Sequence, residues 1–307
     1  MKTINTVALI GLGAIGCAFM AEVSKTVPDA DLRVVAGGER ARRLRESGVR
    51  VNGKTYKFRV AEAGETYGAD LLILAVKAGA LERAMEDARG CVGPDTVILS
   101  FLNGITSEET LAARFGRGKV LYSYCVGTDA TRVGDAVTYA TMFSVPFGEA
   151  ANVPGAYSEN VLAVRDFFER VGVRFEIPED MKKSLWWKYM LNMGVNQTLA
   201  VLRQPYSALQ RGGFAREIAR DTMLEAVEVA NREGVALTSA DAERAFEVVR
   251  GIDPNGKPST LQDVEAGRRT EIEMFSGDLL RMAARHGLTL PVNDMLYRLI
   301  KAGEEAL

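Results

Sequence analysis

Lys188, Asn192 and Asn196 stand four residues apart in the stretch SLWWKYMLNMGVNQTLAVL. On a helix they share one face and present one ammonium and two amides to the same point. Such a group suits a carbonyl whose oxygen gains negative charge during reaction, because a fixed ammonium both stabilises the oxyanion and can protonate it. The sequence holds one histidine, His286, so imidazole is a poor prospect for proton donor and Lys188 leads. His286 itself precedes Gly287 at a helix end, where it reads as a cap for the negative end of the dipole. Trp186, Trp187 and Tyr189 flank the lysine and read as packing groups rather than substrate-stacking ones.

A second pattern precedes this one. Gly11-Leu12-Gly13-Ala14-Ile15-Gly16 matches GxGxxG, directly after a strand candidate and opening a helix candidate, the context that makes the motif a dinucleotide loop. Gly11 would make the tight turn, Gly13 would let the backbone approach a pyrophosphate, and Gly16 would allow close helix–strand packing. The second strand ends Ala36-Gly37-Gly38-Glu39-Arg40, with Arg42 and Arg43 beyond. With no carboxylate at the tip to hold a ribose 2′-OH and guanidiniums near, NADP is favoured and NAD stays an alternative. Arg40 and Arg42 are the expected phosphate contacts; Arg43 and Arg45 read as a solvated helix face.

The elements that must position these groups are legible in the pattern. NTVALI, LRVVA, DLLILAV and DTVILSF are apolar strand candidates alternating with helical segments, as expected of a doubly wound parallel sheet. VLYSYCVG, AVTYATMF and VRFEI extend that sheet at its far edge, with NVLAVRDFFERVG as a helix between them. After Pro178 the remaining segments read as long helices. DPNGKPS (253–259) is expected to deliver Ser259 as N-cap of one long helix that also carries Glu271. The expected domains are 1–178, a Rossmann domain, and 179–307, all helical.

A net charge of -2 gives no field to gather nucleic acid or an anionic membrane surface. Cys17, Cys91 and Cys125 lack the spacing of a zinc site or disulfide framework. The opening VALIGLGAIGCAFMA could pass for a secretory segment, but its glycine spacing and the α/β pattern after it argue for a cytoplasmic chain.

On GLGAIG, AVKAGA around Lys77, FLNG around Asn103, WWKYMLNMGVN around Lys188 and STLQDVEAGRRTEIEMFSG around Glu271, the chain resembles the ketopantoate reductase (2-dehydropantoate 2-reductase) family across almost its full length. The resemblance implies a Rossmann domain joined to a helical domain like that of 6-phosphogluconate dehydrogenases, with the active site in the cleft between them. It implies NADPH-dependent reduction of 2-dehydropantoate in pantothenate biosynthesis, with Lys188 as general acid. It makes Glu271 the carboxylate that holds the substrate hydroxyl. Asn103, Asn192, Asn196 and Ser259 become the polar groups around the substrate, and Lys77, with Asn103, lies near the cofactor. The sequence departs from the family at Gly37, where an Arg is usual, at Ala80, where a Gln is usual, at Ser276-Gly277, and in SYCVGTD and TYATMFSV. Two other readings stay open: a reductase of the same architecture for another 2-keto or 3-hydroxy acid, or a non-catalytic sensor of cofactor state. A small-molecule 2-keto acid is the expected partner, with no metal, and a homodimer is compatible with the family.

Overall fold

A computed structural model of the chain describes residues 2–27, 32–127 and 129–307. It divides into two compact units, Met1–Met181 and Lys182–Leu307. Among the described residues no helix is long and apolar enough to cross a membrane.

Among the described residues the first unit has twelve strands: β1 (Val7–Ile10), β2 (Leu32–Ala36), β3 (Val49–Val51), β4 (Lys54–Tyr56), β5 (Arg59–Glu62), β6 (Ala69–Leu74), β7 (Val92–Ser100), β8 (Val120–Ser123), β9 (Thr131–Val133), β10 (Ala136–Thr138), β11 (Ser144–Gly148) and β12 (Arg174–Glu176). Eight of them form one sheet in the order β12-β11-β8-β7-β6-β1-β2-β5. From β5 through β8 every neighbouring pair is parallel. Helices α1 (Ala14–Val23), α2 (Gly38–Ser47), α3 (Leu81–Asp87), α4 (Ser107–Phe115) and α5 (Glu159–Val171) lie between the strands in sequence. Alternate residues of β1 enter different cores, Val7 and Leu9 one and Ala8 and Ile10 the other. Burial on both faces explains why these strands read as continuous apolar runs.

The sheet edge corrects one expectation. VLYS and RFE do join the large sheet as β8 and β12, with β11 between them, but AVT does not. As β10 it pairs with β9 and, in parallel, with β3, completing a separate four-stranded sheet β4-β3-β10-β9. These strands are three residues long and partly exposed, too short to show a period.

The second unit is helical: α6 (Met181–Leu202), α7 (Ser207–Gln210), α8 (Phe214–Arg232), α9 (Ser239–Arg250), α10 (Ser259–Glu265), α11 (Asp278–Arg285) and α12 (Pro291–Glu304). Thr238 and Asp241 form a reciprocal capping box at the start of α9, satisfying two amides that the helix leaves open. The expected long helix from Ser259 through Glu271 is absent. Pro258 occupies the N-cap position, Ser259 is the first helical residue, and α10 ends at Glu265. Gly267, at φ +60, then turns the chain in a conformation that only glycine adopts without cost. Glu271 lies just before a π-helical turn, Glu273–Gly277, that runs into α11.

Candidate functional site

The carboxyl edge of the parallel sheet gathers the nucleotide-loop residues. β2 and β6 flank β1 on opposite sides, so the loop after β1 sits at a topological switch point, where open α/β sheets bind ligands. Lys77 follows β6 and Asn103 follows β7 at the same edge, since Ile10, Leu74 and Ser100 are in register. Lys77 is exposed and Asn103 half-buried.

Each glycine of the loop has a separate reason. Gly11 has φ +105, and a Cβ there would stand 2.5 Å from the Ala75 carbonyl group. A Cβ on Gly16 would stand 2.1 Å from the Gly11 oxygen, so a larger residue would push α1 off β1. Gly13 differs: its φ is -80, and an added Cβ would meet only the Ala75 oxygen at 3.9 Å. Among the described residues nothing requires glycine at 13. An open backbone at this position fits the close approach of a pyrophosphate, and α1 begins at Ala14 with no side-chain cap on its amides. The residues present fit a dinucleotide.

The arginines beyond β2 are all exposed and differ in their partners. Arg42 is paired with Glu39 at 2.7 Å, both well exposed, and Arg45 with Glu62 at 2.6 Å. Arg40 and Arg43, one helical turn apart, line a cleft beside Leu12. Arg40 and Arg43 share one face of α2, as i and i+3 do, and both are exposed there. The cleft also contains Arg132, from β9, which the sequence reading missed. Its Nη1 donates to the carbonyl of Leu12, inside the glycine loop. No local signal marks it, since the contact joins residues 120 apart in sequence.

In the second unit α6 does what its spacing predicts. Lys188, half-buried, donates from Nζ to Asn192 Oδ1 at 3.0 Å. Asn192 is 4% exposed and Asn196 7%. Among the described residues the Asn196 amide has no protein hydrogen bond, so a buried amide stays available on the lysine's face. The aromatic flank packs as expected: Trp187 Nε1 donates to the Asp241 carbonyl at 3.0 Å, and Trp186 meets Tyr189 edge-on at 5.8 Å.

Two hydrogen bonds tie α6 to the turn that follows Glu271. Tyr189 Oη donates to the Phe275 carbonyl at 2.6 Å, and Ser276 Oγ donates to Gln197 Oε1 at 2.5 Å. The turn starts on Glu271 itself, whose carbonyl accepts from the amides of Met274 and Phe275 at 3.0 and 3.1 Å. Asn293 Nδ2 donates to Glu225 at 2.8 Å, and its Oδ1 lies 3.2 Å from Ser276 Oγ, which shares its one proton between Gln197 and this longer contact. Ser259 is exposed at the start of α10. His286 caps α11 and lies 2.8 Å from Glu233, a structural pairing.

Family models described as ketopantoate reductase PanE/ApbA and ketopantoate reductase PanE/ApbA C terminal match residues 7–152 and 180–304. The 2-dehydropantoate 2-reductase of Pyrococcus horikoshii is 26% identical over 311 residues, covering 96% of each chain. Among solved structures, a D-mandelate dehydrogenase in a ternary structure with NADH and anilino(oxo)acetate covers 98% of this chain and 99% of that one, with a TM-score of 0.87 at 22% identity. The 2-dehydropantoate 2-reductase from Geobacter metallireducens GS-15 covers 97% and 99%, with a TM-score of 0.83 at 25% identity.

Proposed function

Since the chain belongs to the ketopantoate reductase family, a family of oxidoreductases, we propose that it reduces a small 2-keto acid, 2-dehydropantoate first among them, using NADPH and Lys188 as the proton donor. The bound nicotinamide supplies the hydride; the rest falls to side chains. The Lys188 ammonium, oriented by Asn192 at 3.0 Å, meets the charge that develops on the ketone oxygen and hands over a proton. Asn192 and Asn196 hold the substrate's carboxylate end, Ser259 and Glu271 take its hydroxyl, and Lys77 and Asn103 attend the cofactor. The reading places the enzyme in the reducing cytoplasm, in keeping with three free cysteines, two of them buried.

The observation that carries this reading is the ammonium–amide pair on a buried helix face in a chain with a single histidine. A second reading, a related 2-keto acid as substrate, is favoured by the departures in SYCVGTD and TYATMFSV. Steady-state turnover against a panel of 2-keto acids with NADPH and NADH tests both. A kcat/KM for 2-dehydropantoate at least tenfold above the other acids supports the first; a bulkier or aromatic 2-keto acid in that place supports the second. No turnover with any of them removes the reductase reading.

A further inference from the structure

Three arginines line one cleft beside Leu12 of the glycine loop, two exposed on a helix and one from a strand. Arg40 and Arg43 come from α2, which follows β2, while Arg132 reaches over from the four-stranded sheet to the carbonyl of Leu12. Among the described residues Asp135 is the one carboxylate lining the cleft. It lies 3.8 Å from Arg132 with its own side chain 81% exposed, a loose contact of little energetic weight. Among the described residues neither Arg40 nor Arg43 is in an ion pair. Desolvation first, then the charges of Arg132 and Arg43, hold the Arg40 pKa below its ordinary value. Elsewhere on α2 the chain does neutralise its arginines, through Glu39 and Glu62. The unneutralised cluster is thus confined to the cleft.

Its place specifies the anion. In a GxGxxG fold the group that reads the 2′ position of the adenosine ribose stands about twenty residues beyond the loop, at the tip of β2. That tip is Gly37, the N-cap of α2, which has no side chain to bind a 2′-OH or a 2′-phosphate. A phosphate monoester offers about two charges and three acceptor oxygens, a match for several guanidinium forks.

We propose that Arg132, Arg43 and Arg40 together seat the 2′-phosphate of the dinucleotide, so that selection of NADPH over NADH is exercised by a hairpin arginine and not by a residue at the β2 tip. This rests on the dinucleotide reading above. The competing role for Arg132 is a strut that only holds the hairpin against the loop.

Equilibrium titration of the full chain, by calorimetry, separates the possibilities. The probes are NADPH, NADH, adenosine 2′,5′-bisphosphate and 5′-AMP. Wild type should bind each 2′-phosphorylated probe at least about tenfold more tightly than its counterpart. Arg132→Ala and Arg43→Ala should each shrink that ratio by roughly tenfold while NADH and 5′-AMP affinity stays within about twofold. Arg43 makes no bond to the loop backbone, so its variant reads the charge without disturbing the loop. A ratio near one in wild type, an unchanged ratio in both variants, or an equal loss of both cofactors in Arg132→Ala would overturn the proposal. Protein that binds neither dinucleotide removes the cofactor reading as well; protein that binds NADH well without preference removes only the arginine seat.

Discussion

The hydroxyl of Tyr189, the residue beside Lys188, donates to the carbonyl of Phe275 at 2.6 Å, four residues beyond Glu271. Burial, with the charge of Asp278 adding to it, raises the phenol pKa well above its ordinary value, so it stays a donor at any working pH. We expect Tyr189→Phe to remove one of two hydrogen bonds to the Phe275 carbonyl, which keeps the Asp278 amide, lowering stability by about 0.5–1.5 kcal/mol. If the bond also positions Glu271, KM should rise several-fold at a temperature where the variant is fully folded. A lower melting point with unchanged KM would confine Tyr189 to packing.

Lys188→Ala should lower kcat by roughly two to four orders of magnitude, the range for a lost general acid. Dinucleotide binding should persist, because the glycine loop belongs to the other compact unit. Turnover measured beside a binding titration decides it; near-normal kcat would end the proposed role.

Glu271→Gln should raise KM and lower kcat together without unfolding the second unit. The alternative, a structural carboxylate paired with Arg268, is weakened because Arg268 already binds Asp263 at 2.8 Å. A variant that melts early yet keeps its kcat/KM would withdraw Glu271 from catalysis.

Glu108 offers a test by pH. It is 1% exposed, accepts from Ser107 Oγ at 3.0 Å, and burial pushes its carboxyl up from 4.5 to about 7, offset in part by its hydrogen bonds and by Arg117. A raised folded-state pKa favours the protonated form. The stabilisation is therefore whole below about pH 4.5 and lost as pH climbs to about 7, by on the order of 2–3 kcal/mol. Glu108→Gln should track wild type near pH 5 and melt progressively higher than it toward pH 8. Parallel melting curves across that range would refute the assignment.

The glycine loop and the Lys188 face were legible because both are local. One needs a strand, a turn and a helix in succession; the other needs only the 3.6-residue period. What escaped was set by contacts distant in sequence. Arg132 meets Leu12 across 120 residues of sequence, and Arg40 and Arg43 line one cleft with it only once the chain is folded. The break before Glu271 was written in Gly267, but the apolar residues on either side suggested one continuous helix. EMFSG then forms a π-helical turn held by Tyr189 and Gln197, partners that no window of neighbouring sequence contains.

The small sheet has a consequence in time. β10 pairs with β3, Val137 against Val51, and β6, β7 and β8 all lie between them in the chain. Loop-closure entropy disfavours such a pairing until the intervening strands have assembled. The hairpin that brings Arg132 to Leu12 should therefore dock late and be among the first parts of its unit to open. In hydrogen exchange the Asn52 amide, bonded to the Val137 carbonyl at 2.9 Å, should exchange ahead of those of β1 and β6. Bound NADPH should slow it more than it slows the central strands, because a ligand protects most where opening would cost its own contacts.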